Sequence, residues 1–374
     1  MIIMTMKNFL SIFLVMFTIT MVCSPMATLQ VSSAPTPLRT NVHLVNGVYT
    51  VSLPLGTPPQ PQNVTITFTA PVSTVRCGSS AFQPSRSSTF RRRHGHSEDT
   101  LRLNQTNGRP PVVPTAVRHV AFRCGRSGQV ALGPGDLALP AQIAGSLRGA
   151  ARVFAYCLPY GPLFLGGSRD GYFARGGPSG AYANLSNFFS HTTLHVSSSR
   201  SSHVSSPYSI SVRDIVVGTK PLDLAPFRLY ISATTAYTRL EHKLYLRVRS
   251  AFRKAIGFGS STPSVPLSTT SAARFDTCFN GTNFFDTLAR PGVADIELKL
   301  SGGAVWPIFG WNSMVNVAGN VLCWAFVDAG VNASCVLGTY QQQQNLVEFD
   351  LAKSRLSFTG FLFAYRTSCG AFYQ

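Results

Sequence analysis

The sequence predicts a mostly β protein with a few helices, organised in two lobes. With 374 residues the chain exceeds the length at which a single hydrophobic core stops growing. Its 31 Gly and 24 Pro are spread along the chain, as in proteins whose short strands are joined by many turns. Hydrophobic residues make up 45% of the chain and charged residues 12%, so there is ample material for buried cores.

The first ordered segment is predicted as strands around a turn, over residues 40–76. Residues 64–68 alternate between apolar and polar side chains with the period of a strand. The turn is predicted at Gly56, which is followed by Thr57 and two prolines. Residues 85–114 are polar and basic, and they are predicted to be irregular.

Two helices and a linker follow. A helix is predicted over residues 137–153, with Leu139, Ile143 and Leu147 on one face, and a second over residues 240–256. The Ser-rich residues 192–206 are predicted to link the lobes. The lobes are therefore predicted as residues 40–195 and 206–374. Further strands are predicted at residues 208–212, 215–217, 305–308 and 336–338.

The N-terminus has the pattern of a secretory signal peptide, predicted over residues 1–30. Lys7 precedes a mostly apolar run at residues 9–22, and small residues follow it. Cleavage is expected between Cys23 and Ala34. A membrane anchor is the alternative, but the run is shorter than the roughly 20 residues that a bilayer requires. We therefore expect a secreted, extracellular protein.

Cysteines and glycosylation sequons agree with secretion. Seven cysteines remain beyond the signal peptide, and in an oxidising compartment they should mostly pair, with one left over. They are Cys77, Cys124, Cys157, Cys278, Cys323, Cys335 and Cys369. Candidate glycosylation sites in Asn-X-Ser/Thr sequons are Asn63, Asn104, Asn184, Asn280 and Asn332.

The formal net charge is +18, which indicates an acidic partner or serves solubility. For a secreted chain an anionic cell-wall polysaccharide or an acidic protein is favoured over nucleic acid. The densest basic run is residues 91–96, which is either a solvated loop or a docking patch. Its two His flank one Gly without further ligands, so neither a metal nor a cofactor is expected.

Six segments stand out when they are taken together and in this order: LGTPPQ (55–60), FQPSRSSTF (82–90), LALPAQ (137–142), YCLP (156–159), WPIFGWNSMV (306–315) and EFDL (348–351). They resemble plant pepsin-like aspartic proteases, and among them the xylanase-inhibitor-like branch that includes extracellular dermal glycoproteins. The resemblance runs from about residue 51 to residue 369. The fold it implies has two β-barrel-like lobes related by a pseudo-two-fold axis, each supplying one Asp in an Asp-Thr/Ser-Gly motif.

The resemblance places Thr67 and Ser232 at the two catalytic aspartate positions, with Thr69 and Thr234 at the following glycines. It also implies that the apolar-apolar-Gly partner segments survive at residues 131–133 and 336–338. Independently, none of the chain's ten Asp is followed by Thr-Gly or Ser-Gly. A hydroxyl does not take a proton from water near neutral pH, so this chemistry is expected to be lost and the protein not to be an enzyme.

Other catalytic routes find little support in the sequence. Cys335 has no accompanying His/Asn signature, no Gly-X-Ser-X-Gly motif occurs, and nothing selects a pair of glycosidase carboxylates. The resemblance implies that Cys335 is the unpaired cysteine and that the hairpin flap is shortened to irregular residues 91–114. The disulfides it implies are Cys77–Cys124, Cys278–Cys323 and Cys157–Cys369.

The resemblance implies an inhibitor of microbial cell-wall glycoside hydrolases. Family inhibitors present basic side chains on loops of the second lobe, and the candidates here are Arg366 with Tyr365, and Arg274. Residues 363–369 contain no His, so they are more similar to the glucanase-inhibiting type than to the xylanase inhibitors. The alternatives are a basic polysaccharide-binding or storage protein and, third, an active aspartic endopeptidase.

Overall fold

The fold is mostly β, as predicted, because strands far outnumber helices among the described residues. The computed structural model describes residues 36–177, 179–197, 206–256, 275–287 and 291–372. Residues 34–374 group as one unit. The predicted signal peptide lies outside the described ranges, and within them no helix has the length and apolar character needed to cross a membrane.

The strands of the first half are β1 (Leu38–Val45), β2 (Val48–Leu55), β3 (Gln60–Thr67), β4 (Thr74–Arg76), β5 (Arg91–Arg93), β6 (His96–Gln105), β7 (Val113–Gly125), β8 (Gln129–Ala131), β9 (Val153–Cys157), β10 (Pro162–Leu165), β11 (Phe173–Gly176), β12 (Ala181–Asn184), β13 (Ser190–Thr193) and β14 (His195–Val196). The helix α1 (Leu139–Ser146) lies between β8 and β9.

The strands of the second half are β15 (Tyr208–Val217), β16 (Lys220–Pro221), β17 (Phe227–Ile231), β18 (Thr238–Leu240), β19 (Cys278–Asn280), β20 (Ile296–Leu300), β21 (Val305–Ile308), β22 (Met314–Ala318), β23 (Val321–Trp324), β24 (Phe326–Asp328), β25 (Cys335–Leu337), β26 (Leu346–Asp350) and β27 (Arg355–Phe358). The helices are α2 (His242–Ala255) and α3 (Gly310–Ser313).

One large sheet draws strands from both halves of the chain. Its order is β13-β27-β26-β9-β10-β1-β2-β3-β8-β4-β7-β6-β5, and β6 also pairs with β1 and β2. The C-terminal strands β26 and β27 thus complete a sheet built mainly from the first half. A second sheet, β21-β20-β15-β17-β25-β18-β24, is built mainly from the second half, and β14 and β16 also pair with β15. The lobe boundaries at residues 195 and 206 stay a prediction.

Aromatic side chains fill the core where the halves meet. The rings of Phe154 and Phe349 stack with centroids 4.6 Å apart, and Phe68 and Tyr208 pack against both. Because Phe349 comes from β26 and Phe154 from β9, this cluster joins chain segments almost 200 residues apart. The residue after Thr67 is therefore anchored in the core.

The prediction that residues 85–114 are irregular is wrong, whereas the prediction that the flap is shortened stays a prediction. β5, β6 and the start of β7 lie there, and β6 and β7 form an antiparallel hairpin joined by residues 106–112. Leu101 and Leu103 point inward from β6 while Arg102 is exposed. Buried Asp99 accepts hydrogen bonds from the Ser87 and Thr89 hydroxyls and from the Thr100 amide. The alternation of apolar and polar side chains that marks a strand is thus confined to a few positions of β6, within a segment that is otherwise polar.

The predicted helix over residues 137–153 is too long. It ends at Ser146, Gly149 adopts a positive φ of 81°, and Val153 begins β9.

The second predicted helix agrees closely with α2. Its N-terminus is capped by the Glu241 carboxylate, which accepts hydrogen bonds from the next helix amides. The predicted linker contains β14 and part of β13, while residues 198–205 lie outside the described ranges.

The three predicted disulfides are confirmed: Cys77–Cys124, Cys278–Cys323 and Cys157–Cys369. The last of these spans 212 residues of sequence. Among the described residues Cys335 is the free cysteine, and it is buried. Burial raises the pKa of its thiol, and the Glu241 amide donates a hydrogen bond to its sulfur. A buried, protonated thiol is a poor nucleophile.

Candidate functional site

Thr67 is the last residue of β3, and the neighbouring strand β8 runs parallel to β3. Thr67 lies opposite Ala131 of β8, and its side chain is buried. The Thr67 hydroxyl lies 3.1 Å from that of Thr69 and accepts a hydrogen bond from the Thr69 amide at 3.2 Å. The side chain of Thr67 is therefore held by its own loop.

Ser232 directly follows β17 and repeats this arrangement. β17 runs parallel to β25, with Ile231 opposite Leu337. The Ser232 hydroxyl is buried and accepts hydrogen bonds from the amides of Thr234 and Thr235, at 3.2 and 2.9 Å. It donates to the Thr235 hydroxyl at 3.0 Å. One loop amide in the first half of the chain and two in the second thus donate to a buried side-chain oxygen.

A second pair of hydroxyls supports the equivalence of the two loops. Ser73, six residues after Thr67, accepts a hydrogen bond from the Ala131 amide at 3.1 Å. Thr238, six residues after Ser232, accepts one from the Gly338 amide at 3.0 Å. Ala131 therefore occupies the place of Gly338. The partner segment in the first half is residues 129–131, so the expected 131–133 is shifted by two residues.

A buried glutamine that sequence reasoning missed connects the second loop to the first half of the chain. The Gln342 side-chain amide donates to the carbonyls of Ser232, Leu337 and Gly338, at 2.9 to 3.1 Å. Its oxygen accepts a hydrogen bond from the buried Tyr156 hydroxyl of β9. Gln342 lies in a run of four glutamines, and such a run has neither helix nor strand periodicity.

The C-terminal turn presents Tyr365 and Arg366 to solvent. A 3-10 helix ends at Tyr365, and Arg366 adopts the left-handed conformation with φ 56°. Its carbonyl accepts a hydrogen bond from the Gly177 amide at 3.1 Å. The Tyr365 ring stacks on Phe188 with centroids 4.4 Å apart. The third candidate, Arg274, lies outside the described residues.

The predicted basic run forms the edge strand β5 and the turn after it. Arg91 to Arg93 are exposed at one end of the large sheet. Glu98 of the neighbouring strand lies within 3.2 to 3.4 Å of Arg93, His96 and His119. Desolvation raises the pKa of Glu98, but these basic neighbours outweigh it and lower that pKa overall. In the described residues no three His, Cys, Asp or Glu side chains cluster as metal ligands would.

The sequon asparagines lie at or near the surface. Those at 63, 104, 280 and 332 are exposed, whereas Asn184 is half-buried. The side-chain amide of Asn184 donates to the Asp170 carbonyl at 3.0 Å, and its oxygen accepts from Ser186. Attachment of a glycan to Asn184 would disturb these bonds, so it is the least accessible of the five sites.

Comparisons with known proteins agree with the fold and the loops. The family described as "Xylanase inhibitor C-terminal" matches residues 207–360. The chain is 32% identical over 311 residues to the probable aspartic proteinase GIP2 of Nicotiana benthamiana, covering 74% of this chain and 68% of that protein. It is 32% identical over 298 residues to chitinase CLP of Oryza sativa subsp. japonica, covering 73% and 67%.

A solved structure extends the similarity to nearly the whole chain. The crystal structure of EDGP superposes with a TM-score of 0.74 at 25% sequence identity, covering 91% of this chain and 98% of EDGP. The pepsin-like fold expected from the sequence is therefore confirmed. The chain belongs to the plant pepsin-like aspartic proteinase family, in its xylanase-inhibitor-like branch.

Proposed function

We propose that this protein is a secreted, non-catalytic aspartic proteinase homologue that inhibits a microbial cell-wall glycoside hydrolase, either a xylanase or an endoglucanase. Thr67 and Ser232 replace the catalytic aspartates in this proposal. Their hydroxyls are buried and hydrogen-bonded within their loops. In an aspartic protease two close carboxylates share a proton and activate water between them, which two hydroxyls do not do. The three disulfides support an oxidising, extracellular location.

The observation that carries the inhibitory role is the rigid, exposed turn at Tyr365 and Arg366. The stacked Tyr365 ring, the Arg366 carbonyl bond and the disulfide at Cys369 all restrain this turn. A restrained side chain loses little conformational entropy on binding. A guanidinium placed between two catalytic carboxylates would form bidentate, charge-assisted hydrogen bonds in a glycosidase cleft. Tyr365 adds an aromatic surface of the kind enriched in binding hot spots.

The test is inhibition of a panel of microbial xylanases and endoglucanases by the wild-type protein and two variants. Arg366→Asn removes the cation, while Asn tolerates the left-handed backbone. We expect it to weaken inhibition about 30-fold or more, the size of a hot-spot loss. Arg213→Gln, at an exposed position of β15, removes the same charge and should inhibit as wild type does. If the wild-type protein inhibits none of the panel, the proposal fails. If Arg366→Asn inhibits as well as wild type does, only the assignment of Arg366 as the inhibitory side chain is wrong.

The second candidate is a basic polysaccharide-binding or storage protein, favoured by the net charge of +18 and the exposed arginines of β5. Affinity measured at increasing salt separates the two functions. Binding to a polyanion should collapse within a few hundred millimolar salt, because exposed charges are screened. Binding through a side chain inserted in an enzyme cleft should lose less affinity as the salt concentration rises. An active endopeptidase is disfavoured by the hydroxyls at positions 67 and 232.

A further inference from the structure

A cationic cavity lies on the surface formed by β1, β2 and β6, and the proposed function does not use it. Its volume is about 320 Å³. Arg39, Arg102 and His43 line it, together with the polar side chains of Asn41, Ser52 and Thr106. Among the described residues no Asp or Glu lines it. Three basic groups and several neutral hydrogen-bonding groups therefore face one space without a balancing acid.

Arg39 is buried without a countercharge, which is costly for a protein. Its side chain is 8% exposed, and its one hydrogen bond in the described residues joins Nη2 to the Asn41 side-chain oxygen at 2.9 Å. Its Nε atom is buried and has no partner there. Burial lowers the pKa of Arg39 to about 10, so the group stays cationic at neutral pH. A buried, unpaired charge normally costs several kcal/mol.

No undescribed part of the chain holds an Asp or Glu that could pair with Arg39. All fourteen Asp and Glu residues fall within the described ranges, and the remaining stretches contain none. No ion pair of Arg39 occurs within those described ranges. The geometry is that of a binding site for an anion.

We propose that this cavity binds a small acidic sugar, of the uronic acid class, with its carboxylate held by Arg39 and Arg102. Guanidinium groups pair with carboxylates through two parallel hydrogen bonds. The polar groups of Asn41, Ser52 and His43 suit the hydroxyls of a sugar ring. A water molecule occupies about 30 Å³ of liquid volume, so an inorganic anion would leave much of the cavity unfilled. This proposal is independent of glycosidase inhibition.

The test uses digalacturonate, the neutral galactose disaccharide and inorganic phosphate as probes, with calorimetric titration and thermal unfolding as readouts. All proteins carry Asn104→Gln, because that sequon lies at the cavity and a glycan there would obstruct it. We expect digalacturonate, at a large excess over its Kd, to raise the unfolding temperature by about 2–5 °C. The neutral disaccharide should have no effect, and phosphate should bind at least tenfold more weakly than digalacturonate.

The variants distinguish a ligand-binding arginine from a structural one. Arg39→Met should unfold no earlier than the parent protein, because it removes an unpaired buried charge, and it should lose the response to digalacturonate. Arg102→Gln should bind at least tenfold more weakly, whereas Arg213→Gln should match the parent. No binding by the parent, equal binding of the neutral disaccharide or of phosphate, or undiminished binding by Arg102→Gln would overturn the proposal. If Arg39→Met does not fold, Arg102→Gln decides alone.

Discussion

At the scale of residues, each of the two loops buries a hydroxyl group, at the position that we propose corresponds to a catalytic carboxylate of an active protease. The side-chain oxygens of Thr67 and Ser232 each accept a hydrogen bond from a backbone amide of the same loop. The amides of Thr69 and Thr234 donate these hydrogen bonds although the resemblance assigns both positions to glycine, so the threonine side chains do not remove the backbone donors.

Restoring both acids should not restore proteolysis. In the Thr67→Asp/Ser232→Asp variant, the Thr69 hydroxyl, now 3.1 Å from the Thr67 oxygen, would crowd the space that the catalytic water needs. We expect no cleavage of a denatured protein substrate between pH 3 and 6. A variant that also carries Thr69→Gly and Thr234→Gly is the matched comparison. Cleavage by the double variant would show that the surroundings of the loops are still competent.

Gln342 shows why part of the site was not predictable from sequence. The family resemblance assigns Thr67 a place in the site, whereas the glutamine run has the composition of an exposed loop. Its burial depends on partners far along the chain, such as Tyr156. No local pattern encodes such a long-range hydrogen bond.

Replacing Gln342 should destabilise the protein. Gln342→Leu leaves the Tyr156 hydroxyl and the carbonyl of Ser232 buried without their partner. Each such loss costs about 1–3 kcal/mol, so we expect urea unfolding to show about 2–4 kcal/mol less stability. Gln343→Leu, which breaks one bond to the Tyr49 hydroxyl at a half-buried position, should cost less. Equal effects of the two substitutions would contradict the linking role of Gln342.

At the scale of elements, the predictions succeeded where periodicity was strong. α2 has an apolar stripe and a capping acid, and both appear in the structure. β6 was missed because its inward side chains include Asp99, whose burial depends on hydroxyls from another loop. The helix predicted at α1 was too long because Gly149, which adopts a positive φ, follows shortly after Ser146. In each case tertiary contacts or backbone freedom outweighed side-chain hydrophobicity.

Strand β26 carries an acid whose environment predicts a pH dependence. Burial raises the pKa of Glu348, although the Tyr172 hydroxyl donates to it at 2.9 Å and opposes this. A carboxyl group with a higher pKa in the folded chain than in the unfolded one binds more protons when folded. Its ionisation therefore destabilises the fold as pH rises above about 4.

Glu348→Gln should remove that penalty. The stability difference between the variant and wild type should grow in favour of the variant as pH rises from 4 to 8. The measurement is the free energy of urea unfolding across this range, with Glu297→Gln on β20, which is partly exposed, as the control. Parallel profiles for wild type and Glu348→Gln would contradict this account of the carboxyl group.

At the scale of the whole molecule, the C-terminal segment ties the halves together. β26 and β27 join the large sheet, and the Cys157–Cys369 disulfide holds the segment just beyond the Arg366 turn. The similarity to EDGP over most of both chains supports the same overall architecture. The turn proposed for inhibition thus lies between strands and a disulfide that both connect distant parts of the chain.

Removing this disulfide should affect both stability and inhibition. In the chain-entropy account a bond closing 212 residues stabilises by about 5 kcal/mol at most. We expect Cys157→Ser/Cys369→Ser to unfold at lower temperature and, where it remains folded, to inhibit more weakly through a looser turn. Cys77→Ser/Cys124→Ser, whose bond lies far along the chain from the turn, should lose stability without a specific loss of inhibition. Unchanged inhibition by the first variant would contradict the anchoring role.

The central claim is that Arg366 binds the catalytic carboxylates of a glycoside hydrolase. The most direct test is a double-mutant cycle with a hydrolase that the panel shows to be inhibited. One arm carries Arg366→Asn in this protein, and the other changes a catalytic carboxylate of the hydrolase to its amide. Directly paired charges should be coupled by about 1.5 kcal/mol or more, so the two losses of affinity should not add. Strictly additive losses would show that Arg366 does not contact the catalytic carboxylates, and the claim would be wrong.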